Sequence, residues 1–354
     1  MKPQKLAFSV GIAGCAGTAI GALLVPRVAL TAWLAAFLGF SAIPIGCLAL
    51  LMMVILVPGS WRPLYAEPLA KGAALLPLAA LSFLPVLIRL GWIYPWVDPA
   101  TAAELPAFKA LWLSPFFFTL RAIFYFGLLI GLQRALAALR PERRPPMAAA
   151  GLIVYALIGS LLGVDWAESL QPRFHSSIYG LIFLSGQWLA GLGFALLVAL
   201  PRRKEQPPFA ASGPLITALL FWGYIQAMQY IVIWSGDIPA EARWYLVRSA
   251  DAWQIVTWTI VFGQGVLPFL ALLSPRVRES NRALVGIAAV TLAMRLIVAA
   301  SLVLRPAGLP PIQTVLLLAA AWAAIGGLGG GALLRRNGER GIASAQASLE
   351  RRRA

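Results

Sequence analysis

The chain has 354 residues, 60% hydrophobic and 12% charged, with 29 Lys and Arg against 13 Asp and Glu and a net charge of +16. A mean hydropathy of +0.81 excludes an ordinary water-soluble domain, in which about a quarter of residues are charged. Two Cys and one His are too few for bis-His haem ligation, an iron–sulfur cluster or a four-ligand zinc site.

A membrane-crossing helix needs about 20 apolar residues. That rule predicts an all-α polytopic membrane protein with ten spans, at 6–25, 28–57, 72–93, 113–139, 147–166, 176–200, 215–234, 253–273, 283–304 and 312–334. The first span carries IAGC at Ile12–Cys15, which resembles a bacterial lipoprotein cleavage box. The apolar run continues to Val25, so a spanning helix is the preferred reading, with cleavage at Cys15 as the alternative. The second span is long and holds Pro44, so a kink or tilt is expected.

The loops after the third and seventh spans share a pattern. One reads Trp96-Val-Asp98-Pro99-Ala100 and the other Trp234-Ser-Gly-Asp237-Ile-Pro239-Ala240. Together with the span directions, this suggests two four-helix bundles, spans 2–5 (28–166) and 6–9 (176–304), within one integral membrane domain of residues 1–334. Residues 335–354 are basic and read as a disordered tail. Of the 29 basic residues, twenty fall on the side of the termini, six on the other side and three within spans. Both termini are therefore expected in the cytoplasm, and the same asymmetry accounts for the high pI without nucleic acid.

Charges within apolar runs usually face a bundle interior or a polar cavity. Arg121 lies two turns into the fourth span, with Tyr125 at i+4 on the same face. Arg89 lies near the end of the third span and Asp165 closes the fifth. A pair of Asp165 with Arg121 or Arg89 is expected, forming a buried polar site. Glu168, His175 and Tyr125 are candidates for a proton route leading from it. In that reading Asp165→Asn impairs turnover in an assembled complex. The alternative is a structural ion pair that only fixes helix register. Arg295 sits midway along the ninth span with no acid in spans eight to ten, so carbonyls, Gln264, a partner subunit or lipid phosphate must answer it. Gln226 and Gln229 share one helix face and suit interhelical hydrogen bonds, as do Gln254, Thr257 and Gln264, with a water-lined half-channel as the alternative. Trp61, Trp92, Trp96, Trp112, Trp166, Trp234, Trp244 and Trp253 read as an interfacial belt. IGGLGGG in the last span reads as close helix packing.

The passage Asp165-Trp166-x-x-Ser169-Leu170-x-Pro172-x-Phe174-x-Ser176-Ser177-Ile178-Tyr179-Gly180 resembles a signature of the ActF-type membrane subunit of bacterial alternative complex III. Lys109-Ala-Leu-Trp112-Leu-Ser-Pro115-Phe-Phe-x-x-x-Arg121-x-x-x-Tyr125-Phe126 is similar to an earlier block of that family, with one residue fewer before the proline. A later block is matched by Phe221-Trp222-x-Tyr224-x-x-x-x-Gln229-Tyr230-x-x-Ile233-Trp234 and Ile238-Pro239-x-Glu241-x-x-Trp244-Tyr245. Gln171 stands where the family tends to have an acid, and Arg173 where it tends to have His.

The resemblance implies an NrfD-like helical subunit of a quinol:cytochrome c oxidoreductase in the bacterial inner membrane. Quinone would be the one cofactor near this chain, with none bound tightly. Haem and iron–sulfur clusters would reside in partner subunits. The implied roles are quinol binding, proton transfer or scaffolding, as part of an enzyme rather than an enzyme alone. A ten-helix secondary transporter built on a repeat, or a purely architectural membrane subunit, are the rival readings.

Overall fold

The apolar runs that set the expected spans also set the observed architecture. The computed structural model describes residues 2–203, 209–251 and 253–353; Lys204 and the side chains of Arg202, Ala240 and residues 336–353 lie outside the described set. The described chain is helical, with no strand, and ten of its helices are long and apolar enough to cross a membrane. We number them α1 (Pro3–Leu24), α2 (Pro26–Leu56), α3 (Arg62–Ile88), α4 (Pro115–Ala138), α5 (Arg144–Trp166), α6 (Tyr179–Ala199), α7 (Ser212–Gly236), α8 (Trp253–Leu273), α9 (Asn281–Ala307) and α10 (Pro311–Arg353). They define a multi-pass helical membrane protein.

Burial ranks the helices. The most apolar window of α2 is 78% buried and that of α6 is 67%, whereas no other exceeds 44%. These two central helices pack on each other, α2 also against α3, α5, α9 and α10, and α6 also against α5, α7 and α9. Gly46 permits the α2–α6 approach, since a Cβ there would overlap the Gln187 carbonyl. Pro44 lies within an unbroken α2, so the expected bend does not interrupt the helix. Peripheral α1 packs lengthwise on α10, where Gly11 and Gly14 meet the backbone of Leu328 and Ala324 and Gly327 meets Gly11. The glycine run in α10 thus serves packing, as expected.

Several boundaries differ from the sequence reading. Helix α3 starts at Arg62 rather than near residue 72, and is broken at Ala74–Leu75 into Arg62–Ala73 and Leu76–Ile88. Its polar first half reads as a loop because of Arg62, Glu67 and Lys71, yet Leu64, Tyr65 and Leu69 are fully buried. Helix α8 is interrupted by a π-turn at Val261–Val266 just before Pro268. Helix α10 runs on to Arg353, through the segment expected to be disordered. Residues 335–353 contain Ala, Glu, Arg and Leu but no proline, and that composition favours continuation of a helix.

The belt of tryptophans is only partly realised. Trp234 is 73% exposed, but Trp166 and Trp96 are buried in the core. Trp166 packs among Phe37, Phe83 and Phe126 with ring centroids 4.9–5.4 Å apart. Tyr94, Trp96 and Phe118 continue this cluster. It lies beneath the end of the bundle remote from both termini, and it anchors the polar groups above it.

Candidate functional site

Asp165 closes α5 at that remote end, immediately before the buried Trp166 side chain fixes the backbone. Trp166 is held further by its carbonyl, which accepts from the Tyr94 hydroxyl at 3.1 Å. On the facing helix, Ser114 caps the N-terminus of α4 by accepting from the Phe117 N–H. Two turns along α4, Arg121 and Tyr125 face α5 from consecutive turns, as their i, i+4 spacing requires.

The Arg121 guanidinium grips the carboxylate with both arms: Nε donates to Oδ2 at 2.8 Å and Nη2 to Oδ1 at 2.9 Å. The Trp112 indole donates to Oδ1 at 2.8 Å and the Tyr125 hydroxyl to Oδ2 at 3.0 Å. Arg121 Nη1 donates to the Trp112 carbonyl at 2.7 Å, and its plane covers the Trp112 ring at 3.9 Å. The side chain of Asp165 is 2% exposed and that of Arg121 10%. Each carboxylate oxygen therefore accepts two bonds, which fills the lone pairs of an ionised carboxylate. No acceptor capacity is left for a proton or a headgroup.

Arg89 is not part of this network. It is exposed at the end of α3, where the helix gives way to a turn at Leu90–Trp92. The expected alternative pairing with Asp165 is thus not made, because the bidentate Arg121 already occupies both oxygens.

A second polar group adjoins the first through the α5–α6 loop. Glu168 is 8% exposed; its Oε1 accepts from the Ser176 N–H at 3.2 Å, while Oε2 is buried without a partner in the chain. Lys109 donates to the Pro172 carbonyl at 2.6 Å and lies 3.1 Å from His175 Nδ1. Burial lowers the Lys109 pKa, opposed by the nearby Glu168 charge. Burial also lowers the His175 pKa; the Lys109 ammonium acts the same way and Glu241 opposes. Arg173 points outward and pairs with exposed Glu104. The structure thus brings Glu168 and His175 near Lys109, and Tyr125 to Asp165 instead.

From α7, Gln229 reaches the same loop and accepts from the Ser176 hydroxyl at 2.6 Å. Phe174 stacks on Trp244, 5.5 Å between centroids, in the helix Pro239–Arg248. Pro239 begins that helix as Pro99 begins the short Pro99–Ala103 helix, so the shared loop pattern has a structural counterpart. Arg248, one of the six basic residues on the side away from the termini, is only 8% exposed. Its guanidinium covers the Trp244 ring at 3.8 Å, and its Nε has no partner in the chain. Burial brings the Arg248 pKa down to about 10, with Tyr179 and Tyr245 opposing and Arg305 assisting. Nothing in the sequence distinguishes Arg248 from neighbouring Arg243; only the fold does.

Among the described residues no group of His, Cys, Asp and Glu is arranged to hold a metal ion. Comparison with family models and with curated proteins finds no match to either.

Proposed function

We propose that the chain is an integral membrane subunit of a quinol-oxidising respiratory assembly of the alternative complex III type, located in a bacterial inner membrane with both termini cytoplasmic. In this reading the electron carriers belong to haem and iron–sulfur partner subunits, and the chain contributes a scaffold and a proton-exchanging end near quinol. The observation that carries it is the convergence of the three sequence blocks that resemble the family. Trp112, Arg121 and Tyr125 of the first meet Asp165 of the second. Ser176 and Phe174 of the second meet Gln229 and Trp244 of the third. Residues far apart in the chain but alike in pattern thus build one continuous polar end. The two four-helix units of this reading, α2–α5 and α6–α9, interlock: α2 packs on α6 and α9, and α6 also on α3 and α5.

Within that reading the roles differ from the simplest expectation. The saturated Asp165 carboxylate holds α4 and α5 together and does not relay protons. Glu168, with one oxygen free, is the group able to take up a proton, and Lys109 and the exposed His175 adjoin it. Purification from native membranes in mild detergent tests the proposal: haem absorbance and iron–sulfur polypeptides should accompany the chain. A chain that purifies alone and moves solute in vesicles would instead be a transporter, for which the broken α3 and the π-turn of α8 are the supporting features. In the assembled complex, Glu168→Gln should slow quinol-driven reduction of the acceptor about tenfold or more while leaving yield intact. Unchanged turnover per complex would remove Glu168 from the mechanism.

A further inference from the structure

Away from the polar end, α2, α6 and α9 enclose a cavity of about 20 Å³. Its walls are Leu38 and Ala42 from α2, Phe183 and Gln187 from α6, and Arg295 and Ala299 from α9. None of these three helices contains an Asp or Glu. Arg295 Nε and Nη1 are buried without a partner in the chain. Gln187 is 1% exposed, and its Oε1 accepts from the Tyr155 hydroxyl at 2.8 Å. In this orientation of the amide, the Nε2 amino group is buried without a partner in the chain. Gly186 makes room for the guanidinium, since a Cβ at that position would overlap Arg295 Nη2.

Every free polar group at this cavity is therefore a donor, and one of them carries a full charge. We propose that the cavity is a binding site for a small monovalent inorganic anion of chloride size. Three arguments select that ligand. A buried guanidinium costs several kcal/mol unless it is paired, and no carboxylate is available from the surrounding helices. A water would accept from these donors, but its own two hydrogens would meet only Leu, Ala and Phe side chains. The space is about that of one water, too small for a phosphate with its four oxygens. A halide accepts several N–H bonds, needs no donor of its own and tolerates apolar walls. The anion would neutralise Arg295 and bridge α9 to α6.

The proposal is independent of any role in respiration. It is tested on the full chain, purified with whatever subunits accompany it, in gluconate buffer with radiolabelled chloride. Saturable uptake of one chloride per chain is expected, displaced by bromide and not by gluconate. Arg295→Gln should weaken binding at least tenfold. Gln187→Leu, which keeps the cationic partner, should weaken it severalfold and serves if Arg295→Gln does not fold. Absence of saturable binding, or binding unaltered in both variants, overturns the proposal. Displacement by phosphate or a short-chain anionic phospholipid but not by bromide overturns it in favour of a headgroup oxygen.

Discussion

Deleting both partners of the Asp165–Arg121 pair should damage the fold little more than deleting either one. The carboxylate accepts four bonds, two from Arg121 and one each from Trp112 and Tyr125. Charge-assisted bonds contribute about 1.5–3 kcal/mol each, but desolvation of the pair offsets much of their sum. What remains decisive is the unpaired charge: Asp165→Leu leaves a guanidinium 10% exposed, and Arg121→Met leaves a carboxylate with only two neutral donors. Each single substitution should destabilise by about 3–5 kcal/mol. If the effects were independent, the double variant would lose about 6–10 kcal/mol. Because the two residues answer each other, the double variant should instead lose about as much as one single, a coupling of about 3 kcal/mol or more. Dodecyl sulfate titration in mixed micelles, followed by tryptophan fluorescence, measures all four corners of this cycle. Additivity within about 0.5 kcal/mol would refute the argument. Turnover supplies an independent check: whatever Asp165→Asn complex assembles should work at the wild-type rate. Normal yield with lost turnover would restore Asp165 as a working group.

Other perturbations follow from the same geometry. Gly46→Ala places a methyl on the Gln187 carbonyl, so α2 and α6 must separate; a loss of about 1–3 kcal/mol or failure to accumulate in the membrane is expected, and wild-type melting would contradict it. Trp166→Ala empties the centre of the aromatic cluster and should cost about 3–5 kcal/mol, whereas Trp234→Ala, at a 73% exposed position, should stay within about 0.5 kcal/mol of wild type. His175 is held below its usual pKa by burial and by Lys109, so its neutral form favours the fold. That contribution is present above the unfolded pKa of about 6.5 and fades as pH falls. His175→Asn should therefore flatten the decline in melting temperature between about pH 7 and pH 5, and an unchanged slope would show that neither burial nor Lys109 depresses its pKa.

How much of this was legible in the sequence depends on what each residue answers to. The spans were legible because lipid-facing and core-facing residues are both apolar, so a run of about twenty is visible without knowing the fold. The first half of α3 was not, since its buried Leu64, Tyr65 and Leu69 alternate with Arg62, Glu67 and Lys71 in a stretch that hydropathy averages to a loop. Asp165 and Arg121 were legible as a pair because isolated charges in apolar runs must find each other. Choosing Arg121 over Arg89 required knowing which helix faces α5, and that is a tertiary fact. Trp166 was misplaced for the same reason: at a span end, interface and core are indistinguishable until Phe37, Phe83 and Phe126 are seen around it.

Arg248 and Arg295 carry the lesson further. One sits in a loop helix and the other in mid-span, yet both have buried guanidinium nitrogens unanswered by the chain. Sequence flagged Arg295, because a cation among apolar neighbours is conspicuous, and passed over Arg248, because a cation in a loop is not. What makes either informative is the set of groups opposite it. Arg248 has Trp244 beneath it and Tyr179 and Tyr245 close by, with no acid in contact. Arg295 has an amide whose carbonyl end Tyr155 has already taken. A cation faced only by donors and apolar surface, as Arg295 is, makes an incomplete pair. The helices that surround Arg295 contain no Asp or Glu, so what completes it is the anion proposed above.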